Sequence, residues 1–342
     1  MSCRRCVSSL APTQSFTGIN CSLQIIRSVK RITHSLDVSV CNRNHRRPVK
    51  PDSRTGLPDA NAAKRVFDRV GSSFDSADVV HSEARRKLLE RLNIVDWTPR
   101  VIIDLGAATG KGTLALARRY PAARVLAADS SIRMLEQVVQ RCLAVEHIHP
   151  VMSDAQCLPV ASNSVDLIFA NLILPWCVPE TVLAEVSRVL VEGGLLVFTT
   201  VGPDTLQEVR NAWRKVDDKI HVHGFTDMHH IGDLVVRAGL VDPVMDVDRL
   251  EVTHTGLKAL VYDLRACGAT NVAVGRRTSL TGPDRWRRFE KELLYQGQER
   301  VSTTVELIFG QAWGSGRVRE GDSANGTVRI PVTELTRSFR RR

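Results

Sequence analysis

The sequence lacks long apolar runs, a cysteine pattern typical of a disulfide framework, and the signature of a catalytic nucleophile. No stretch of the 342 residues approaches the about 18 consecutive apolar residues of a transmembrane helix, so we expect no membrane span. The eight cysteines follow no disulfide framework, which favours a reducing compartment. An apolar content of 43% and a charged content of 25% are typical of a globular protein with a large core.

Acidic residues are almost absent from the first 50 residues. This segment contains nine Lys or Arg and one acid, Asp37, whereas the rest of the chain contains 38 basic and 36 acidic residues. The net charge of +10 therefore comes mainly from this segment and gives no reason to expect nucleic-acid binding. Cys3 and Cys6 have the C-x-x-C spacing, but no second pair follows at zinc-finger distance, so we expect unpaired thiols there.

We interpret residues 1–60 as a flexible basic leader, residues 61–314 as one folded domain and residues 315–342 as a flexible tail. The leader is rich in Arg and Ser and poor in acids, which fits a mitochondrial transit peptide. A disordered extension or an upstream start codon would give the same pattern. The expected location is the cytoplasm, or the mitochondrion if the leader is a transit peptide.

The most informative stretch predicts a strand, a small-residue turn, a helix and a second strand that ends in an acid. Residues 101–103 (VII) predict a buried parallel strand, and Asp104 and the turn 106–110 (GAATG) follow it. Small residues let a ligand approach the backbone, and the next helix offers its N-terminal amides. Residues 124–128 predict the second strand, which delivers Asp129 where an acid can bind ribose hydroxyls. The turn lacks the G-x-G-x-x-G pattern of dinucleotide-binding folds.

Strands and helices alternate along the body of the chain. Further strands are predicted to end at residues 152, 170, 201, 254 and 309, and helices are predicted at 62–71, 76–92, 132–144, 180–190 and 227–238. Asp75 or Ser76 is the expected cap of the second helix, and a turn at 192–194 is expected to precede a strand at 195–201. This order predicts an α/β fold, a Rossmann-like sheet with helices on both faces. Residues 256–300 are expected to form a mostly helical cap, inserted before the last strand.

Ligands of an open parallel sheet bind at the carboxyl ends of its strands. The residues 104–110 (DLGAATG) resemble the first motif of class I S-adenosylmethionine (SAM) methyltransferases, with Ala108 where many relatives have Gly. The resemblance implies a class I methyltransferase sheet and SAM as methyl donor, with no metal. The predicted SAM-binding residues are Asp104, Gly106, Ala108, Gly110, Asp129, Ser130, Met134, Asp154, Ala155, Asn171 and Leu172. Asp129 would bind the ribose, Asp154 and Ala155 the adenine, and Asn171 and Leu172 the methionine part.

Later motifs are more specific. They are 171–176 (NLILPW), 202–206 (GPDTL), 222–233 (VHGFTDMHHIGD), 238–249 (AGLVDPVMDVDR), 268–277 (GATNVAVGRR) with 280–282 (LTG), and 310–313 (GQAW). This set resembles the BioC-type malonyl-[acyl-carrier-protein] O-methyltransferases of biotin synthesis, from about residue 62 to residue 313. The family usually has Tyr-Asp where this chain has Phe74-Asp75, so Phe74 is expected only to pack against bound ligand.

The resemblance implies methylation of the free carboxylate of a malonyl thioester on acyl carrier protein, an early step towards the pimeloyl moiety of biotin. A carboxylate is already a nucleophile at neutral pH, so the reaction needs no general base. It does need a cation to hold the carboxylate, and Arg binds carboxylates in a fixed geometry. Arg249 and Arg210 are the first choices, and His223 and Trp176 are further acceptor-site candidates. The other arginines considered are Arg214, Arg276 and Arg277.

Acyl carrier proteins are acidic, so docking favours cations near the acceptor site. The arginines of the inserted segment give it a basic bias, although a solvated helix face explains them equally well: Arg265, Arg276, Arg277, Arg285, Arg287 and Arg288. His229 and His230 are adjacent and diverge by about 100° on a helix, so we expect no metal site with His223. We expect a monomer that binds neither nucleic acid nor membranes.

Two other functions stay open from the sequence. One is methylation of a different small molecule by the same fold. The other is a non-catalytic assembly factor, or a protein hydroxylase, of mitochondrial respiratory complex I, because methyltransferase-like members of that class also resemble this chain. The basic leader favours the second alternative, whereas the motifs at 227–233 and 268–277 favour the carboxyl methyltransferase. The choice between a carrier-bound and a coenzyme-A-bound acceptor is also open.

Overall fold

The computed structural model describes residues 56–94, 97–294 and 300–316. Seven strands of these residues form one sheet in the order β3-β2-β1-β4-β5-β7-β6. The strands are β1 Val101–Leu105, β2 Arg124–Asp129, β3 Ile148–Met152, β4 Val165–Asn171, β5 Leu190–Val201, β6 Leu240–His254 and β7 Val301–Gly314. Neighbouring strands are parallel except for β7, which runs antiparallel to both β5 and β6.

Nine α-helices connect or flank the strands in the described part of the chain. They are α1 Ala60–Val70, α2 Val79–Arg91, α3 Lys111–Arg119, α4 Ile132–Arg141, α5 Pro179–Val189, α6 Gln207–Arg214, α7 Met228–Arg237, α8 Leu257–Ala266 and α9 Pro283–Leu293. Short 3₁₀ turns occur at Phe74–Ser76, Leu92–Ile94 and Leu174–Trp176. None of the helices seen in these ranges has the length and apolar character needed to span a membrane.

The centre of the sheet is buried on both faces. In β4, Ile168 belongs to one hydrophobic cluster, whereas Leu167 and Phe169 belong to the other, because successive side chains of a strand point to opposite faces. Helices α5 and α7 cover the first face, and α2, α3 and α4 cover the second. A strand that is buried on both faces has a continuous apolar sequence, and this run is what predicts β4 from the sequence. The predicted Rossmann-like sheet with helices on both faces is confirmed.

Several predicted boundaries move because strand pairing overrides local signals. Strand β5 starts at Leu190 instead of 195, and Gly193 (φ +71°) lies inside it, where the pairing register with β4 shifts. Strand β6 starts at Leu240 instead of 246, since it pairs with β7 along nearly its whole length. Helix α2 starts only at Val79, so neither expected residue caps it. Ser131 does cap α4, and its Oγ accepts the N–H of Met134 at 3.3 Å.

The described part of the inserted segment between β6 and β7 contains two helices, α8 and α9, joined by the irregular stretch 267–282. The aromatic ring of Trp213 on α6 stacks on Phe289 of α9 with centroids 4.2 Å apart. Together with Leu260 of α8, these residues form a small hydrophobic core separate from the two clusters on the sheet. The two helices of the insertion thus pack on each other and on α6, which attaches them to the sheet.

The described end of the predicted leader is bonded to the insertion. Gly56 N–H donates to the carbonyl of Val274 at 3.0 Å, and Asp59 N–H donates to that of Val272 at 2.9 Å. The side chain of Asp59 then caps α1. The expected boundary at residue 60 therefore falls a few residues late. The remainder of the leader, residues 1–55, and residues 317–342 of the tail lie outside the described residues.

Candidate active site

The turn after β1 has a backbone shape that favours glycine. Gly106 has φ +74° and Gly110 has φ +81°, both in the left-handed region. A Cβ added to Gly106 would lie 2.7 Å from Ile173 Cδ1, and one added to Gly110 would lie 3.1 Å from Val138 Cγ2. Ala108 adopts φ +46° despite its methyl group. The turn therefore keeps the chain close to its neighbours and brings Gly110 to the N-terminus of α3.

Two carboxylates hold this turn, the buried Asp104 and the half-buried Asp129. Asp129 at the end of β2 accepts the N–H of Ala108 at 3.0 Å and that of Ser131 at 2.8 Å. Asp104 at the end of β1 accepts the hydroxyl of Thr113 at 2.6 Å. Burial raises the pKa of each carboxyl to about 6, although these hydrogen bonds oppose the rise. No ion pair neutralises either acid among the residues described.

A cleft opens between this turn and helix α2. It is lined by Phe74, His81, Arg85, Asp104, Asn171 and the backbone of residues 106–109. His81 Nδ1 is buried and has no hydrogen-bond partner in the described structure. Burial lowers the pKa of His81 to about 4, so the ring is neutral at physiological pH. The cleft thus presents a buried acid, an arginine and an unpaired imidazole nitrogen to a ligand.

The segment before α2 closes over the turn through an ionic network. Asp75 accepts the hydroxyl of Thr109 at 2.7 Å and pairs with Lys111 at 3.3 Å and with Arg141. Arg141 also donates to the carbonyl of Thr109 at 2.7 Å. Burial raises the pKa of Asp75, but the Thr109 hydrogen bond and the two cations outweigh it and leave the pKa lowered. The network fixes the segment 74–78 on the glycine turn.

The remaining predicted cofactor residues lie at the same edge of the sheet. Asn171 ends β4, donates from Nδ2 to the carbonyl of His81 at 3.1 Å and accepts the hydroxyl of Thr199 at 2.9 Å. Leu172 follows with φ +57°. The other four are placed as follows: Met134 is fully buried against Phe74, Ser130 precedes the cap of α4, and Asp154 and Ala155 follow β3.

The predicted acceptor residues Trp176 and His223 meet beside this edge. The Trp176 ring lies edge-on to His223 with centroids 5.6 Å apart, and edge-on to Phe67 of α1 at 5.0 Å. His223 Nε2 accepts the N–H of Val272 at 2.7 Å, so the histidine also anchors the insertion. Burial and the nearby Arg276 lower the pKa of His223 to about 4. These residues form an apolar wall contributed by three distant parts of the chain.

The arginines proposed to hold a carboxylate have different surroundings. Arg249 lies on the outer strand β6, is 67% exposed at its side chain and pairs with Asp204 at 2.6 Å. Arg210 donates to the carbonyls of Pro203 at 2.7 Å and Thr205 at 3.0 Å. Arg276 is partly buried, donates to the carbonyl of Ala273 at 3.2 Å and lies near His223. Arg214 is exposed on α6, and Arg277 is partly buried.

Sequence reasoning missed His81 and Arg85 as lining residues of the cleft. They are four residues apart on α2, so they occupy one face of that helix. The same spacing in the sequence could have indicated them, because a helix expected to flank the sheet turns one face towards it. For metal binding, the described ranges contain no group of three or more potential ligands. His229 and His230 are exposed near the start of α7, whereas His223 is buried.

Comparison with known proteins fits this geometry. A family model described as a methyltransferase domain matches residues 103–198, which run from within β1 to within β5 and include the glycine turn. The solved structure of the [4+2]-cyclase SpnF has a TM-score of 0.50 and 15% identity, covering 76% of this chain and 98% of that one. At this identity the likeness concerns the fold alone. Sheet order, glycine turn and polar strand ends define a class I methyltransferase fold.

Curated relatives identify the family. The malonyl-[acyl-carrier protein] O-methyltransferase of Gallionella capsiferriformans is 37% identical over 264 residues, which are 75% of this chain and 91% of the relative. That of Halorhodospira halophila is 38% identical over 286 residues, 82% of this chain and 97% of the relative. The chain belongs to the malonyl-[acyl-carrier protein] O-methyltransferase family, and the predicted resemblance is confirmed.

Proposed function

We propose that this protein transfers a methyl group from SAM to the free carboxylate of a malonyl thioester on acyl carrier protein. The observation that carries the proposal is the cradle at the ends of β1 and β2, beside an apolar wall, in a chain of this family. The relatives bear the name of that activity. The complex I assembly factor and the methyltransferase of another small molecule are not favoured, since these relatives align over most of their length.

The side chains of the cradle match the charged groups of SAM. The cofactor carries a cationic sulfonium and an α-amino group, and the cleft contains the unneutralised Asp104. It also carries a carboxylate, for which Arg85 lies in the same cleft with its side chain 15% exposed. The unpaired Nδ1 of His81 supplies a further polar contact. When bound, SAM supplies an electrophilic methyl group.

We assign the protein residues to parts of the cofactor as follows. Asp129 binds the ribose hydroxyls, and Asp104 with Asn171 holds the amino-acid part. Asp154 and Ala155 contact the adenine. The backbone of Gly106, Ala108 and Gly110 lets the cofactor approach closely. Ser130, Met134 and Leu172 complete the cofactor cradle.

The acceptor needs placement and no proton transfer. A carboxylate is ionised at neutral pH, so no base is required. His223, with its pKa lowered to about 4, is neutral there and adds no charge to the wall. The chain's residues hold the carboxylate oxygen in line with the methyl group and exclude water; such placement is worth roughly 7–11 kcal/mol in model reactions. Trp176 and His223 form the wall that excludes water.

An arginine holds the acceptor carboxylate. Arg249 pairs with Asp204, and Arg210 donates from two guanidinium nitrogens to backbone carbonyls. Arg276 donates to one carbonyl only and lies beside His223. We therefore place Arg276 before Arg249 and Arg210 as the carboxylate ligand. Replacement of the true ligand by Lys should lower turnover more than about tenfold, because a planar fork becomes a single flexible contact. Rates within threefold of wild type for all three Lys variants would contradict an arginine ligand.

Incubation with SAM and malonyl-acyl carrier protein tests the function directly. Intact mass spectrometry should show the gain of one methyl group by the carrier-bound malonyl group, and base hydrolysis should remove it as expected for an ester. The same assay with malonyl-coenzyme A separates the two possible acceptors. If neither malonyl thioester gains a methyl group while SAM binds to the protein, the proposed acceptor is wrong.

A further inference from the structure

Positive charge is concentrated in the inserted segment. Residues 256–294 contain eight Lys or Arg and four acids, whereas the rest of residues 56–316 contains 22 basic and 28 acidic residues. The insertion is therefore a basic element on an otherwise acidic body. Five of its arginines lie between residues 276 and 288 with one acid among them. A surface with this distribution attracts anions to one place.

Three of these arginines line one surface cleft at the start of α9. Its lining residues are Arg277, Gly282, Pro283, Asp284, Arg285 and Arg288. Arg285 lies 3.5 Å from Asp217, and Asp284 pairs with Arg287 at 3.1 Å. Across the described residues, Arg277 and Arg288 have no acidic partner. The cleft therefore retains positive charge that no side chain neutralises.

One side-chain hydrogen-bond donor of this cleft, Nη1 of Arg277, is also unpaired in the described structure. Arg277 donates from Nε to the hydroxyl of Ser279 at 2.7 Å and from Nη2 to the carbonyl of Leu280 at 2.7 Å. Its Nη1 is buried without a partner in the described structure. Gly282 provides no side-chain cap for α9, so backbone N–H groups of its first turn lack a side-chain acceptor. A buried donor left unpaired is destabilising, and a bound anion would offset that cost.

The cleft is linked along the chain to the proposed acceptor site. Val272, five residues before Arg277, is hydrogen bonded to His223, whose ring lies beside Trp176. A thioester held at this wall is joined to its carrier by a phosphopantetheine arm, whose phosphate lies at the end remote from the thioester. A compact anion with several oxygens suits converging guanidinium groups and helix N–H donors.

We propose that the cleft formed by Arg277, Arg285, Arg288 and the start of α9 binds the phosphate of the acceptor's phosphopantetheine arm. The proposal rests on the proposed function for the identity of the arm. The cleft then fixes the remote end of the acceptor, while the wall at Trp176 and His223 receives the thioester end. Recognition of the phosphate would be shared by carrier-bound and coenzyme-A-bound malonyl groups.

Calorimetry with the full chain tests the cleft without catalysis. 4′-Phosphopantetheine should bind at least fivefold more tightly than pantetheine, and more tightly than inorganic phosphate. Arg288→Ala and Arg277→Ala should each remove most of that difference. Arg118→Ala is the matched control, because Arg118 is exposed near the end of α3, away from the carboxyl ends of the strands. The proposal would be overturned if 4′-phosphopantetheine bound with the same affinity as pantetheine, or with the same affinity as inorganic phosphate.

Kinetics then separate the phosphate from the protein surface of the carrier. Arg288→Ala should raise KM at least threefold for malonyl-phosphopantetheine and leave the rate with malonyl-pantetheine unchanged. A rise confined to the malonyl carrier protein would mean that the cleft contacts the carrier's acidic surface, which contradicts the phosphate site. If phosphopantetheine binds in a phosphate-dependent way but no malonyl compound is methylated, the phosphate site is supported and the proposed function is refuted.

Discussion

The proposed cofactor side and the proposed acceptor side of this protein are built in different ways. The cofactor side consists of short turns that directly follow strands β1, β2 and β4, and the bonds of Asp129 and Asp104 join residues close to those strand ends. The acceptor side brings together Phe67 of α1, Trp176, His223 and Val272 of the insertion. Local backbone geometry determines the first side, and long-range packing determines the second.

This difference explains how each side responds to mutation. A change on the cofactor side removes a specific bond to a ligand and leaves the surrounding sheet in place. A change on the acceptor side shifts elements that depend on one another. We therefore expect the first kind of change to alter SAM affinity and the second to alter acceptor KM, and the following predictions test this contrast from the largest effect to the smallest.

The largest expected effect is on SAM affinity. Asp129→Ala should weaken SAM binding by about 1–3 kcal/mol, or roughly 5- to 150-fold, because a buried charged hydrogen bond to the ribose is lost. The matched control is Asp166→Ala. Asp166 also accepts two backbone N–H groups, those of Arg100 and Val101 at 2.8 Å each, but at the amino ends of the strands. Calorimetry should show a large loss for the first variant only; equal SAM affinity in a folded Asp129→Ala variant would refute the ribose assignment.

Asp104→Asn should separate stability from binding. The folded-state pKa of Asp104 is raised to about 6, so its contribution to stability is present below about pH 4 and is lost as the pH rises through 6. The variant should therefore be about 2–3 kcal/mol more stable than wild type at pH 7.5 without ligand, and equal to it at pH 4. SAM binding should weaken.

Urea unfolding at the two pH values measures this difference. Thr113→Val is the control of opposite sign, because it removes the hydroxyl that stabilises the carboxylate and should lower stability at pH 7.5. A gain for Asp104→Asn that is the same at pH 4 and pH 7.5 would show that its cause is not the carboxylate charge.

His223→Phe should affect the acceptor side alone. The variant leaves the N–H of Val272 without its acceptor, which costs about 1–3 kcal/mol of stability and loosens the insertion. We expect KM for the malonyl acceptor to rise about three- to tenfold at unchanged SAM affinity. His223→Gln retains an acceptor atom and should recover part of the loss. Because the ring of His223 is neutral above about pH 5, a wild-type rate that titrated near pH 6.5 through His223 would contradict its wall role.

Two truncations should give the smallest effects and differ from each other. Removal of residues 1–55 should leave the melting temperature and activity unchanged, because this basic segment has too little apolar content to join a core. Removal of residues 1–59 also deletes the bonds to Val272 and Val274 and the cap of α1, and should cost about 1–2 kcal/mol. Thermal unfolding measures both. Equal melting temperatures would show that residues 56–59 add nothing to the insertion.

The strands and the glycine turn of the proposed cofactor side could be predicted from the sequence because their signals are local. A β-branched run, small residues and an acid after the strand follow one another within about 30 residues at 101–129. The wall could be predicted only in part, since nothing in the spacing of His223 and Val272 shows that they are hydrogen bonded. Arg249 was chosen for its position beside a family motif, but its exposure and its bond to Asp204 depend on which strand forms the edge of the sheet. Strand order is a tertiary property.

The insertion leaves and re-enters the sheet at paired residues. His254 at the end of β6 lies opposite Val301 at the start of β7, so the two ends of the segment are held about 5 Å apart by the hairpin. A segment of any length that spans this gap leaves the strand register intact. The insertion can therefore change in length or sequence while the strands that carry the glycine turn keep their places.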